Sequence, residues 1–434
     1  MQTLAIKDDA SFQEALRILS AQAVDPAAES RLAEKTDAAR AIVEAVRSRG
    51  DAAVAEFTER YDGVAVSPDQ FELTREEIDA AAREVEPSLL AALERAHENI
   101  RRFHSKNLRQ SWEEVDEDGT VLGQRVSTIE SAGVYVPGGT AFYPSTVLMN
   151  IVPARVAGVQ EIVMVSPPSY NGTIHPLVLA AARLAGATRI FRVGGAQSIA
   201  ALAYGTEHIP AVLKITGPGN IYVTMAKRLV STVCDIDKEA GPSEVLVIAD
   251  EKANARLVAI ELIAQAEHDE DACATLVTTS AELARKVQNE IDRLLPTLSR
   301  VAIIRKSLEG QGKIIIVQNE EQAVRLANEM APEHLALHVA YPRKLFERIK
   351  NAGAVMLGAY TPVAVGDYYA GPNHILPTGR RARFASPLTA EDFRKVTNFI
   401  SYSRERLRKA ADDICMLAEA EKLTAHARAV ELRK

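Results

Sequence analysis

The sequence predicts an α/β protein built on largely parallel, doubly wound sheets, and three observations carry that reading. From Ser127 onward, short apolar runs alternate with helical stretches, the βαβα rhythm of a parallel sheet. Several of these runs end on glycine turns that open the next helix. The low aromatic share, 5%, and the many alanines suit helices packed on sheets better than an all-β fold. At 434 residues the chain exceeds one ordinary core, so more than one domain is expected.

In order along the chain, residues 25–110 read as helices. Residues 37–49 carry Ala38, Ala41, Ile42 and Val46 with charge between them, a 3.6-residue rhythm. EEIDAAAREV from Glu76 continues in that style, after a turn at Tyr61, Asp62 and Gly63. Pro87 opens a further helix that ends near Arg101 and Arg102. GVYVPGG is a strand running into a glycine turn, followed by a helix at 145–159 that contains Pro153. EIVMVS, RIFRVGG and VLKITGPGN are further strands, separated by helices at 176–185 and 196–204 and followed by one that runs through Lys227. After AGPSE the rhythm repeats: EVLVIAD, a helix at 254–265, then TLVTTS, KIIIVQ, ALHVA and AVMLGAY. This gives two α/β units with a seam at 235–242. From Ala390 to the end the chain reads as helical and charged, with no strand signal. Such a tail should pack on something else, for instance another subunit.

Composition narrows the function classes. Net charge is −7, from 58 acidic against 51 basic residues, and no basic block argues for nucleic acid. Cys234, Cys273 and Cys415 are far apart and form no CxxC pair, so a reducing cytoplasm is expected, with each cysteine a small apolar filler. The first residues carry early acids and no long apolar core, unlike a secretory signal. No run of eighteen uncharged apolar residues calls for a membrane span.

The residues that could carry chemistry are few. VGGAQ (193–197) and GPGN (217–220) sit where strand gives way to helix, where free N–H groups can hold a pyrophosphate. Neither matches GxGxxG, and both are equally readable as ordinary βα turns. Of nine histidines, His97, His104, His175 and His208 read as surface or satisfied core residues, and His338 as structural in a strand. Gln265 and His268 lie three apart at a helix end and share a face, a plausible divalent-metal pair or simply a polar helix end. Glu333 and His334, after Pro332, offer two adjacent bases of different strength, or a plain linker. GDYYAGPNHILPTG (366–379) sets Asp367 and His374 among glycines and prolines, a loop that leans towards function. His426 stands in a terminal helix five residues after Glu421, with nothing local to mark it.

Taken together and in order, GVYVPGGTAFYPSTVLM, VGGAQSIAALAYGTE, KITGPGNIYVTMAKR, AGPSEVLVIAD, QAEHDEDA, PEHLAL, GDYYAGPNHILPT and EKLTAH resemble the signature blocks of the L-histidinol dehydrogenase family. The resemblance covers nearly the whole chain and is weakest before Ser127. It implies two incomplete Rossmann-like domains, the second inserted into the first, with small helical N- and C-terminal segments: 1–25, then 26–130 with 238–385, an NAD-binding insert at 131–237, and a tail at 386–434 that reaches a partner subunit.

It also implies one zinc per subunit, held by Gln265, His268, Asp367 and His426, the last supplied across a homodimer. Glu333 and His334 would be the acid–base pair. Ser243, His374 and Glu421 would hold the substrate together with the zinc ligands and His334, with Glu421 also crossing from the partner. Tyr135, Gln197 and Asn220 would contact NAD. The implied reaction takes an amino alcohol through the aldehyde to the acid with two NAD, His334 serving as base at its ordinary pKa near 6.5 and Glu333 activating the water of the second step. A dehydrogenase of another small polyol, a metallohydrolase using Glu333, and a non-catalytic nucleotide-binding protein are the alternatives. Two departures from the family pattern stand out: DIDKE ahead of AGPSE, and Phe142 with Tyr143 at the expected cofactor mouth.

Overall fold

The computed structural model describes residues 1–20, 26–106, 108–138, 142–238 and 241–434. Parts of the expected GVYVPGGTAFYPSTVLM, DIDKE and AGPSE segments (139–141 and 239–240), and residues 21–25 of the expected N-terminal segment, lie outside the described residues. The strands, in chain order, are β1 Gln2–Ala5, β2 Trp112–Val115, β3 Val121–Thr128, β4 Ser131–Tyr135, β5 Glu161–Val165, β6 Arg189–Phe191, β7 Lys214–Thr216, β8 Asp235–Ile236, β9 Glu244–Ala249, β10 Cys273–Thr278, β11 Lys313–Ile316, β12 His334–His338, β13 Ala354–Leu357 and β14 Arg394–Ser401.

They form two parallel sheets, as the fold class requires. The five-stranded sheet has the order β6-β5-β4-β7-β8, and the six-stranded sheet β1-β11-β10-β9-β12-β13. Every pairing within these two sheets is parallel. Central strands such as EIVMV and EVLVIA are buried on both faces, which is why they read as continuous apolar runs rather than as alternation. The architecture is two incomplete Rossmann-like units.

Three features depart from the sequence reading. The first residues form strand β1, which pairs with β11 and completes one edge of the six-stranded sheet, so the N-terminal segment is not purely helical. A four-residue QTLA run is too short to show a period.

The helices Pro26–Arg49, Asp51–Asp62, Arg75–Glu84 and Pro87–His104 pack on the five-stranded sheet. Ile42, Val43, Val46 and Phe57 share a core with Ile199 and Ile215, and Leu93, Ala96 and Ile100 share one with Val147 and Ile151. The grouping of 26–130 with 238–385 therefore does not follow the cores. The helical pattern was legible, but nothing in it says which sheet the apolar stripe meets.

The tail, finally, is not strand-free. β14 pairs antiparallel with β3 along its full length, and β3 with β2, in a separate three-stranded sheet. β14 is exposed along nearly all its length, so burial imposed no two-residue alternation on its sequence. Helices Arg404–Ala420 and Thr424–Glu431 follow it as a hairpin. Among the described residues no helix is long and apolar enough to cross a membrane.

Candidate active site

Helix Ala255–Ala266 starts from an Asn254 cap whose Oδ1 accepts the Arg256 N–H at 3.0 Å. Most of its residues are apolar, but Glu261 and Gln265, with His268 just beyond its end, recur at four- and three-residue steps and so project from one face. Glu261 is buried, and its Oε1 accepts the Val363 N–H at 2.6 Å. That bond clamps the short helix Val363–Tyr368 against this face and brings Asp367 to it. His268 lies close enough for its charge to bear on the Asp367 carboxyl. Gln265 is buried with no partner for its amide nitrogen.

Glu333 and His334 are not on a loose linker. His334 is the first residue of β12, flanked by β9 and β13, and both side chains are buried. Ala331, left-handed at φ 44°, ends helix Glu320–Met330 and turns the chain into Pro332 and the strand. Glu333 Oε2 accepts the Glu244 N–H at 2.9 Å, which places Ser243, the residue before it, alongside. His334 Nδ1 lies 3.3 Å from the Glu244 carbonyl oxygen and 3.6 Å from Glu333 Oε2. Its Nε2 lies 3.4 Å from Asp367 Oδ1, within ion-pair reach but without hydrogen-bond alignment. His374 Nδ1 donates to the Asp367 carbonyl at 2.9 Å, and its Nε2 stands 3.5 Å from Thr146 Oγ1. Thr146 lies in the first turn of helix Pro144–Ala157 of the other unit, so His374 bridges the two. A cavity of about 320 Å³ is lined by His104, His334, Met356, Asp367 and His374 among others.

The electrostatics are dominated by this cluster. Burial pulls the His334 imidazole down, but Glu333 and Asp367 outweigh it and push the ring up to about 10. The expectation of an ordinary imidazole near 6.5 is therefore corrected, because two carboxylates, and not water, surround it. Burial raises the Asp367 carboxyl, yet His334 more than offsets this and leaves it lowered. Burial lowers His374. Glu244, which the sequence reading passed over, is pushed up to about 7, first by burial and then by Glu333. Glu261 was also passed over and is raised by burial. The available signal for both was an acid inside an otherwise apolar strand or helix.

The second group of residues sits at the carboxyl edge of the five-stranded sheet. Strand order reverses between β4 and β7, and such switch points open a crevice for ligands. Tyr135 ends β4, and its hydroxyl accepts the Gly195 N–H. Gln197 is buried, and neither end of its amide has a partner. Asn220 caps helix Ile221–Val230, its Oδ1 accepting from Tyr222 N at 3.0 Å and Val223 N at 3.1 Å. Gly217 has φ 113°, and a Cβ there would strike the Tyr135 carbonyl, so the turn needs glycine.

Beneath this turn Lys227 donates to the Gly217 carbonyl at 3.0 Å and pairs with Asp237, while Gly217 N donates to Asp237 Oδ2 at 2.7 Å. The DIDKE departure thus contains the acid that anchors the turn. Asp62, expected only as a turn residue, is pushed up to about 6 by burial and bears on Tyr135. Phe142 stacks on His175 with 3.7 Å between ring centroids, and Tyr170 meets both rings edge-on.

Several readings of single histidines change. His104 is buried with Nε2 unpartnered, and burial pushes it down to about 4. His175 Nδ1 accepts the Leu177 N–H, capping a helix. His338 is buried in β12, as expected, but neither ring nitrogen has a partner. Within one chain, Gln265, His268, Asp367, Glu333, His334, Ser243 and His374 gather about the amino end of β12. Glu421 and His426 do not join them: both are exposed on the terminal hairpin.

A family model described as histidinol dehydrogenase matches residues 26–434. The chain belongs to the histidinol dehydrogenase family. As a member it is an NAD-dependent dehydrogenase, and the family reaction is histidinol oxidation in histidine biosynthesis. It is 52% identical to histidinol dehydrogenase of Heliobacterium mobile over 392 residues, covering 90% of this chain and 92% of that one. It is 49% identical to histidinol dehydrogenase of Syntrophotalea carbinolica over 435 residues, covering 100% and 99%. Among solved structures it superposes on histidinol dehydrogenase of Elizabethkingia anophelis with a TM-score of 0.92 at 33% identity, covering 100% of this chain and 98% of that one.

Proposed function

We propose that this histidinol dehydrogenase carries out both oxidations, L-histidinol to L-histidinal to L-histidine, with two NAD in turn, and that Glu333 and His334 move the protons. The observation that carries the reading is the Glu333–His334–Asp367 cluster joined through His374 to Thr146 of the unit with the five-stranded sheet. With its raised pKa the His334 ring rests protonated, so it takes the carbinol proton as its own proton passes to Glu333, 3.6 Å from the ring, and Glu333 in turn assists the water that hydrates the aldehyde. Tyr135, Gln197 and Asn220 are read as the NAD contacts. The unpartnered Gln197 amide and the crevice at the β4–β7 switch fit a dinucleotide there.

A zinc ion fits the donor set of Gln265, His268 and Asp367, with His426 of the partner subunit as fourth ligand. The buried Gln265 amide, whose nitrogen has no partner, is the local support, since an amide flip would present its oxygen in that place. Bound there, the ion supplies Lewis-acid orientation of the substrate's amino and imidazole nitrogens. Ser243, His374 and the partner's Glu421 complete the substrate pocket. In domain terms, an NAD-binding unit centred on 131–237 is inserted into a unit built on the six-stranded sheet.

The test separates the two half-reactions. Glu333→Gln should lose more rate with histidinal than in the first hydride transfer, followed as single-turnover NADH formation, and His334→Asn should slow both. Equal losses in both steps for Glu333→Gln would remove the assigned division of labour.

A further inference from the structure

We infer that the chain carries a second divalent-cation site, formed by Asp51, Glu207 and His208, for a transition metal of the zinc class. One donor atom from each of these residues lies within 4.8 Å of the others. Asp51 opens helix Asp51–Asp62, and Glu207 and His208 lie in the segment leading into β7. That is the amino edge of the five-stranded sheet, opposite the edge that holds the glycine turns.

Proximity alone would describe an ion pair, and Asp51 Oδ2 does stand 2.6 Å from His208 Nδ1. The second observation is the other oxygen. The Asp51 side chain is only 8% exposed, yet its Oδ1 is buried with no hydrogen-bond partner. Buried carboxylate oxygens are seldom left so, because desolvation without a partner is costly. Two of the helix's first-turn amides do not serve it: Ala53 N and Val54 N both bond to the Gly50 carbonyl. Arg189, the cation that touches His208, is committed elsewhere, since it donates to both oxygens of Glu72 and to the His208 carbonyl. Asp69 adds further negative charge near His208.

One imidazole with two carboxylates selects zinc, cobalt or manganese over calcium or magnesium, which take oxygen ligands alone. Donors on a tetrahedral zinc stand about 3.4 Å apart, from metal–ligand bonds of about 2.1 Å. Glu207 is exposed and can close the set by turning inwards. A bound ion would tie the helical layer of residues 26–104 to the sheet it covers, far from the acid–base cluster.

The experiment uses the full-length protein, stripped with a chelator and re-equilibrated with graded Zn²⁺, with bound metal counted by elemental analysis and thermal midpoints recorded. Wild type should bind one more zinc per chain, saturably, than His208→Ala. Glu207→Gln, which keeps the Asp51–His208 pair, should bind that zinc about tenfold more weakly or worse and lose most of the zinc-dependent rise in midpoint. His268→Ala should retain it. Equal zinc content and equal midpoint rise in wild type, Glu207→Gln and His208→Ala would overturn the proposal. Should His208→Ala fail to fold, Glu207→Gln alone decides. Failure of the active-site zinc reading gives a different pattern: one zinc in wild type and none in His208→Ala.

Discussion

At the scale of single residues, the site's character comes from charges held where water cannot reach them. Lys227 and Asp237 show the consequence, being 3% and 2% exposed in their side chains beneath the Gly217 turn. Removing one partner leaves the other buried and uncompensated, which typically costs about 3–5 kcal/mol. Lys227→Met should therefore shift the denaturant midpoint strongly downwards, and Lys227→Met with Asp237→Leu should recover part of the loss. A single variant within 1 kcal/mol (about the error of such a measurement) would show that the pair anchors nothing.

Asp62 allows a pH test. Burial holds its folded-state carboxyl near 6, above the usual 3.8, so the native state binds the extra proton between those values. Stability is therefore lost as pH rises through that window and stays lost at neutrality. Full burial would make this about 3 kcal/mol, and partial exposure reduces it to the order of 1 kcal/mol. Asp62→Asn should raise the thermal midpoint at pH 7.5 and leave it nearly unchanged at pH 4. A gain of the same size at both pH values would contradict the assignment.

The chemistry of Glu333 and His334 was legible as a pair of adjacent bases. Their burial at the head of a central strand was not, and with it went the His334 pKa, because a sequence does not show which carboxylates a distant segment such as 363–368 will bring up.

At the scale of elements, capping and function coincide at Asn220. Its Oδ1 satisfies two amides of helix Ile221–Val230, the same end that was read as a pyrophosphate cradle. Substituting such a cap by alanine costs about 1 kcal/mol. Asn220→Ala should lower the midpoint and raise the KM for NAD. Asn220→Asp keeps the cap's acceptor while setting a negative charge where the proposed NAD site would hold its phosphates. It should hold the midpoint and still raise that KM, at least tenfold if the charge costs about 1.4 kcal/mol in cofactor binding. An unchanged KM in both variants would place the cofactor elsewhere.

Elements buried on both faces, β4, β5, β9, β10 and β12 among them, were legible from their apolar runs. The short or exposed strands β1, β2, β3, β8 and β14 were not, because neither length nor burial imposed a pattern on them.

At the scale of the whole molecule, the terminal hairpin and three-stranded sheet expose Trp112, Val115, Ile400, Met416, Leu417 and Leu432. Four of these six, Ile400, Met416, Leu417 and Leu432, belong to the tail that bears Glu421 and His426, as an apolar surface that a partner would cover should. If each pocket is completed by a neighbour, His426→Ala and His268→Ala homodimers should both be nearly inactive. Mixing them with subunit exchange should restore activity, since one pocket of each heterodimer then carries both defects and the other neither. Random exchange would give about a quarter of wild-type activity. No recovery, with exchange verified by mass-tagged subunits, would return His426 to its own chain.

The pairing of β1 with β11 has a consequence for synthesis. Strand β1, made long before its neighbour, cannot pair until residues 313–316 have been made. At about 5–20 residues per second that wait is roughly 15–60 s. During it the helices of 26–104 and the five-stranded sheet can already begin to fold together, since most of their partners lie within residues 26–236 and only Ile375, Leu388, Ala390 and Phe393 join that core later. Closing the larger sheet is then a late, non-local event, of the kind that slows folding. In that interval the first residues must stay unpaired and accessible, so a bulky or strand-forming extension placed ahead of Gln2 should impair yield more than activity.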